Sequence, residues 1–211
     1  MVQAVLWDND GILVNSESVF YEITRAFFER IGLVLTKEIW GIRFLGNGEG
    51  SREIAVSMGA DPEISASIFE ERNAQYRDLL AKNPPEVRIQ VKETLAQLLG
   101  NVKLAVVTGS HRDQFDFMHR SSGLQHFFEA IITGDDAEKP KPHPDLYLAA
   151  LKALNLKADE CIAVEDSRRG LLAAAAAGIA CVVVPTELTR IQEFPGALAV
   201  ENEISAVLKY I

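Results

Sequence analysis

Short, β-rich apolar runs alternate with helical patterns along most of this chain, and that alternation constrains the fold more than any other feature. The runs are Ala4 to Trp7, Leu104 to Val107, Ala130 to Thr133, Ile162 to Val164 and Val182 to Val184. Each is apolar on both faces, as a strand must be when helices cover both sides of a parallel sheet. Helical periodicity follows at Leu95, Leu98 and Leu99, at Tyr147, Ala150, Leu151 and Leu154, and through Leu171 to Ala177. The pattern predicts an α/β fold with a parallel sheet between helix layers.

Between about Ser16 and Lys82 the alternation fails. Val19, Phe20, Ile23, Phe27 and Ile31 recur at helical spacing, as do Ile54 with Met58 and Ile64 with Ile68, and no strand interrupts them. The segment reads as a helical insertion after the first strand, ending near Asn83, Pro84 and Pro85, where prolines stop a helix. The expected organisation is a core of residues 1–15 and 83–211 with an α-helical unit over 16–82. Within that unit, Gly46-Asn47-Gly48-Glu49-Gly50 is expected to form a flexible loop.

Composition narrows the partners. Hydrophobic residues at 48% and charged residues at 24% are the balance of a soluble globular protein. No apolar run approaches the roughly 18 to 20 residues needed to cross a bilayer, so no membrane partner is expected. Asp8 arrives too early for a signal peptide, which makes a cytoplasmic location the expectation. Cys161 and Cys181 sit in apolar, strand-like runs and are expected as buried free thiols, without the histidine pattern of a zinc site. The net charge of -9 argues against nucleic acid as a partner. It does not exclude a phosphorylated ligand, because a bound cation and a few local charges set the potential inside a cleft.

Four stretches at predicted strand ends carry the chemistry, and open α/β folds bind ligands at that edge. In Trp7-Asp8-Asn9-Asp10-Gly11, two carboxylates two positions apart face one crevice, where they repel unless a cation or shared proton compensates. Alone, such a stretch is more often a solvated acidic turn. Val106-Val107-Thr108-Gly109-Ser110 offers a hydroxyl and backbone N–H groups suited to phosphate oxygens, although Thr-Gly-Ser is also ordinary turn chemistry. Lys139-Pro140-Lys141-Pro142-His143-Pro144-Asp145 holds a lysine between prolines at a helix entry. Glu165-Asp166-Ser167 closes another apolar strand with consecutive acids, oxygen ligands of the kind magnesium prefers.

Taken in this order, the four stretches resemble the motifs of the haloacid dehalogenase-like superfamily, in the branch of β-phosphoglucomutases and small sugar-phosphate phosphatases. Asn15-Ser16-Glu17 and the Val184-Pro185-Thr186, Leu188-Thr189-Arg190 and Phe194 pattern extend the resemblance along the chain. It implies a Rossmann-like core with a helical cap and a phosphatase acting on a small phosphomonoester such as a sugar phosphate. By resemblance, Asp8 is the nucleophile that becomes an aspartyl phosphate, and Asp10 is the general acid and base. Thr108 and Lys141 hold phosphoryl oxygens, with Gly109 and Ser110 beside them. Asp166, the Asp8 carboxylate and the Asp10 backbone carbonyl bind Mg2+, and Glu165 is a further metal candidate. Arg43 and Arg52, flanking the cap loop, are candidates for the far end of the substrate; His111 and Arg112 are candidates for the cleft border. The protein is expected as a monomer or small homo-oligomer.

Two positions depart from the family pattern. Asn9 replaces a larger apolar residue and is expected to offer its backbone to phosphate, with its side chain near the leaving group. Ile12 replaces a common threonine. Three other readings compete. A signalling receiver places its acceptor aspartate later in the chain, and a true haloacid dehalogenase needs neither magnesium nor Asp10. A phosphohexomutase of the β-phosphoglucomutase type shares the aspartyl-phosphate intermediate. Its cap loop carries a lysine, absent from Leu45 to Arg52, and Glu49 is expected to repel a second phosphate there.

Overall fold

The strands are built as the alternation predicts, and a sixth joins them. The computed structural model describes residues 1–211. Strands β1 (Ala4–Trp7), β2 (Lys103–Val107), β3 (Ala130–Ile132), β4 (Cys161–Glu165), β5 (Ala180–Val183) and β6 (Ala199–Val200) form one sheet in the order β3-β2-β1-β4-β5-β6. All five pairings are parallel. The last strand, two residues long at the sheet edge, was not foreseen because so short a run carries no period.

Side chains of β1 alternate between two cores, which is why the strand is apolar throughout. Ala4 and Leu6 pack with Leu146, Tyr147 and Ala150 of α7 (Asp145–Leu154) and with Leu171 and Ala174 of α8 (Arg168–Ala176). Val5 and Trp7 pack on the other face with Val91, Leu95 and Leu98 of α5 (Val91–Leu98) and Phe115 of α6 (Arg112–His119). Leu99, counted in the periodic set, lies past the end of α5 and is exposed. Cys161 and Cys181 are buried and free.

Between β1 and α5 the elements are all helical: α1 (Ser16–Arg30), α2 (Lys37–Ile39) continuing into a π-helical turn (Trp40–Gly46), α3 (Ser51–Ser57) and α4 (Pro62–Lys82). They share a core of their own made by Tyr21, Phe28, Trp40, Ile54 and Phe69, with Trp40 stacked on Phe44 at 3.9 Å between ring centroids. Gly46 belongs to the π-helical turn, so the open loop begins only at Asn47. The buried stripe of α4 is Ser65, Phe69, Arg72, Tyr76 and Leu80, leaving Ile64 exposed. The stripe was misplaced because its polar members obscure the apolar period. Where the chain leaves and re-enters the sheet region, the two crossings are stitched together: the Asn15 amide donates to Glu86 O at 2.9 Å and the Arg88 amide to Leu13 O at 3.0 Å.

Candidate active site

Because every strand is parallel, the carboxyl ends of β1, β2 and β4 lie along one edge, and the residues following them converge there. After β1 the chain turns sharply, with the Leu13 amide donating to Asn9 O at 2.8 Å and Gly11 at φ +80°. A Cβ on Gly11 would lie 2.5 Å from Asp166 Oδ2, so glycine is required by space as well as conformation. Asp8, Asp10, Gly109, Ser110, Lys141, Glu165 and Asp166 line one cavity of about 250 Å³. The helices inserted after β1 cover it with Phe20, Phe44, Asn73 and Tyr76.

Lys141 is almost wholly buried. Its ammonium donates to Asp8 Oδ1 at 2.8 Å, Glu165 Oε1 at 2.6 Å and Val107 O at 2.9 Å. Burial alone would lower its pKa, but the Asp8 and Glu165 carboxylates raise it above the ordinary lysine range, so it is a fixed cation. Tyr147 donates a further bond to Glu165 Oε1 at 2.6 Å. The small helix start after β4 is needed to seat that acid: any Cβ on Gly170 would fall on the Glu165 carboxylate.

Asp10 is held from several directions. Ser16 donates to its Oδ1 at 2.6 Å, and Thr108, Ser110 and Asn9 donate to its Oδ2 at 3.0, 2.8 and 3.2 Å. Thr108 therefore stands behind Asp10, fully buried and off the cavity wall. The Asn9 side chain is also fully buried, pointing away from the cavity at Met118 and His119. Its Oδ1 lies 2.6 Å from His119 Nε2, so that nitrogen carries the proton and Nδ1 faces the Ser122 hydroxyl at 3.0 Å. Burial lowers the His119 pKa to about 4, keeping the ring neutral. His119 was given no role on sequence grounds; it fixes the side chain next to Asp10.

Asp8, Glu165 and Asp166 each present an oxygen within 4.8 Å of the others. Burial and the neighbouring acids raise Asp8 to about 7 against the pull of Lys141. Burial and the charges of Asp8, Glu17 and Glu165 raise Asp166 well above the carboxylate range. Asp166 Oδ2 is buried and has no hydrogen-bond partner. A crowd of hard oxygen ligands with one orphaned carboxylate oxygen fits a magnesium ion, which would favour the charged forms that burial opposes.

Several of the candidate residues lie off the cavity. Arg43 is paired with Glu49, Arg52 donates to Pro62 O at 3.0 Å, and neither lines the cavity. Pairing with Arg43 also compensates Glu49. His111 lies 2.6 Å from Asp135, and Arg112 reaches Ile131 O at 2.7 Å, so both turn from the cleft; Gln114 borders it instead. Sequence reasoning assigned no role to Glu17, Asn73, Tyr76 or Arg169, all on the cavity wall. Glu17 and Arg169 flank recognisable motifs, and proximity to them was a usable signal. Asn73 and Tyr76 carry none, being ordinary polar positions of a long helix.

Residues 5–184 match the family model described as haloacid dehalogenase-like hydrolase. The chain is 30% identical to the phosphorylated carbohydrates phosphatase of Thermotoga maritima, over 84% of this chain and 82% of that protein. It is 30% identical to protein CbbY of Rhodobacter capsulatus, over 93% of this chain and 91% of that one. The crystal structure of CbbY from Rhodobacter sphaeroides in complex with xylulose-(1,5)bisphosphate superposes with a TM-score of 0.79 at 26% identity, covering 97% of this chain and 96% of that one. No helix is long and apolar enough to cross a membrane.

Proposed function

The chain belongs to the haloacid dehalogenase-like hydrolases and is a phosphatase, and we propose that it hydrolyses small phosphomonoesters of the sugar-phosphate type through an aspartyl phosphate on Asp8, with magnesium as cofactor. The observation that carries this reading is the Asp8 carboxylate at the cavity floor, with one oxygen held by Lys141 and the orphaned Asp166 beside it. Names of relatives that act on phosphorylated carbohydrates support the substrate class.

Asp8 Oδ1 is anchored by Lys141, leaving Oδ2 to attack phosphorus. The bond to the ester oxygen breaks, and the departing alcohol takes a proton from Asp10. Asp10 then removes a proton from water, whose oxygen attacks the same phosphorus; phosphate leaves and Asp8 is restored. Gly109 offers its amide to the phosphoryl oxygens, while Ser110 beside it gives its hydroxyl to Asp10. Asp8, Asp166 and the Asp10 backbone carbonyl would hold Mg2+, which neutralises charge between the two anions when bound. Glu165 is committed to Lys141 and Tyr147, and we assign it to fixing the lysine. The helices over residues 16–82 act as a cap that closes over substrate.

The test is phosphate release from a phosphomonoester panel with magnesium or chelator, alongside Asp8→Asn. Activity is expected to vanish in chelator and in the variant, and acid quenching of the active enzyme should leave phosphate on the Asp8 peptide. Full turnover by Asp8→Asn would move the nucleophile elsewhere. Supplying β-glucose 1-phosphate with a trace of bisphosphate separates a mutase from a phosphatase: faster isomer formation than phosphate release would overturn the latter.

A further inference from the structure

The two oxygens of Asp10 are held unequally. Oδ1 receives only the hydroxyl of Ser16, the first residue of α1, whereas Oδ2 receives Thr108, Ser110 and Asn9. Three donors fill the lone pairs of Oδ2, so a proton on Asp10 sits on Oδ1. Thr108 and Ser110 are carried by the chain leaving β2. The Asn9 amide needs an anchor of its own, and the only side chain bonded to its oxygen is His119, the last residue of α6.

The orientations along this line are forced one after another. A carboxylate only accepts, so the Asn9 NH2 must face Asp10 and its Oδ1 must turn to His119. His119 Nε2 must then donate, which leaves Nδ1 to accept from the Ser122 hydroxyl. The NH2 also lies 3.7 Å from Met118 Sγ, and Phe115 stacks on the imidazole at 4.3 Å between ring centroids, which fixes its plane. The line thus runs from Ser122 through His119 and Asn9 to Asp10, with every heteroatom of the amide and the ring occupied.

Stability does not account for the pair. Asn9 is fully buried and His119 almost so, beside the equally buried Phe115 and Met118. The net gain from a buried hydrogen bond is small, and apolar side chains of similar shape at both positions would be nearly neutral or stabilising. What the pair accomplishes is a fixed amide against Asp10. We propose that His119 is a positioning residue for the reaction: through Asn9 it holds Asp10 so that Oδ1 faces the leaving-group oxygen. This rests on the phosphatase reading above and adds to it two side chains that touch no substrate.

The experiment compares leaving groups. An alkyl phosphate needs a proton on its departing oxygen, whereas p-nitrophenyl phosphate releases a stable phenolate without one. The alkyl probe is glucose 6-phosphate or glycerol 3-phosphate, whichever the wild type turns over faster. A misplaced general acid forfeits part of its roughly 10²–10⁴-fold contribution, so His119→Leu is expected to lose about tenfold or more of kcat/KM on the alkyl ester and less than about threefold on p-nitrophenyl phosphate. His119→Gln, whose amide nitrogen can donate from near the Nε2 position, should regain most of that loss. Asn9→Leu combined with His119→Leu removes both polar partners, so its Tm should stay close to wild type while the leaving-group-dependent loss remains. Equal losses on the two esters, no rescue by glutamine, or full alkyl-ester activity in the double variant would overturn the proposal. So would a double variant melting more than about 10 °C below wild type, because the pair would then be a structural element. Failure of the wild type to hydrolyse any ester would instead count against the phosphatase reading, and the melting temperature of the double variant would still test the pair.

Discussion

Replacing Lys141 by methionine removes the single cation between two buried carboxylates, and its cost follows from the geometry. The ammonium lies 2.8 Å from Asp8 and 2.6 Å from Glu165, with Glu165 only 1% exposed. Deleting one partner of a buried ion pair typically costs about 3–5 kcal/mol because the remaining charge is stranded. For a chain of this size each kcal/mol shifts Tm by about 2–4 °C, so a fall of roughly 10 °C is expected in metal-free protein. Lys141→Met combined with Glu165→Gln removes one stranded charge, and about half the loss should return. Activity should return in neither variant, since Asp8 Oδ1 keeps no anchor. Thermal melts of the four proteins in a double-mutant cycle, beside phosphate release, make the check. A loss below about 1 kcal/mol for Lys141→Met, or no recovery in the double variant, would refute the stranded-charge account.

Three further outcomes are expected. Gly170→Ala places a methyl group on the Glu165 carboxylate and should lower both Tm and kcat, measured by melting and by phosphate release. His119 is held neutral at a pKa of about 4, so the unfolded chain binds a proton that the folded one refuses between about pH 6.5 and 4. Stability should fall as pH falls through that window, and His119→Gln should flatten the fall by up to about 3 kcal/mol in urea titrations. Arg43→Ala and Arg52→Ala should leave the ranking of substrates unchanged across the panel, because neither side chain lines the cavity.

Sequence alone determined the parallel sheet, since strands apolar on both faces have no stable place except between two helix layers. It also determined which strand ends carry acids, a hydroxyl and a lysine, because in a parallel sheet those ends share an edge wherever the intervening chain goes. The helical character of residues 16–82 was equally legible from local spacing. What remained hidden depended on partners far apart in the chain. Thr108 stands behind Asp10, and Glu165 holds Lys141 across 24 positions, by packing that no local pattern encodes. Arg43 and Arg52 flank the cap loop in sequence, but their hydrogen-bond partners Glu49 and Pro62 draw them off the cavity. Arg169, Asn73 and Tyr76 reach it because two helices distant in sequence close over one floor. Strand and helix follow from short-range periodicity, whereas the direction of a polar side chain is settled by whichever donor, acceptor or charge the tertiary fold brings beside it.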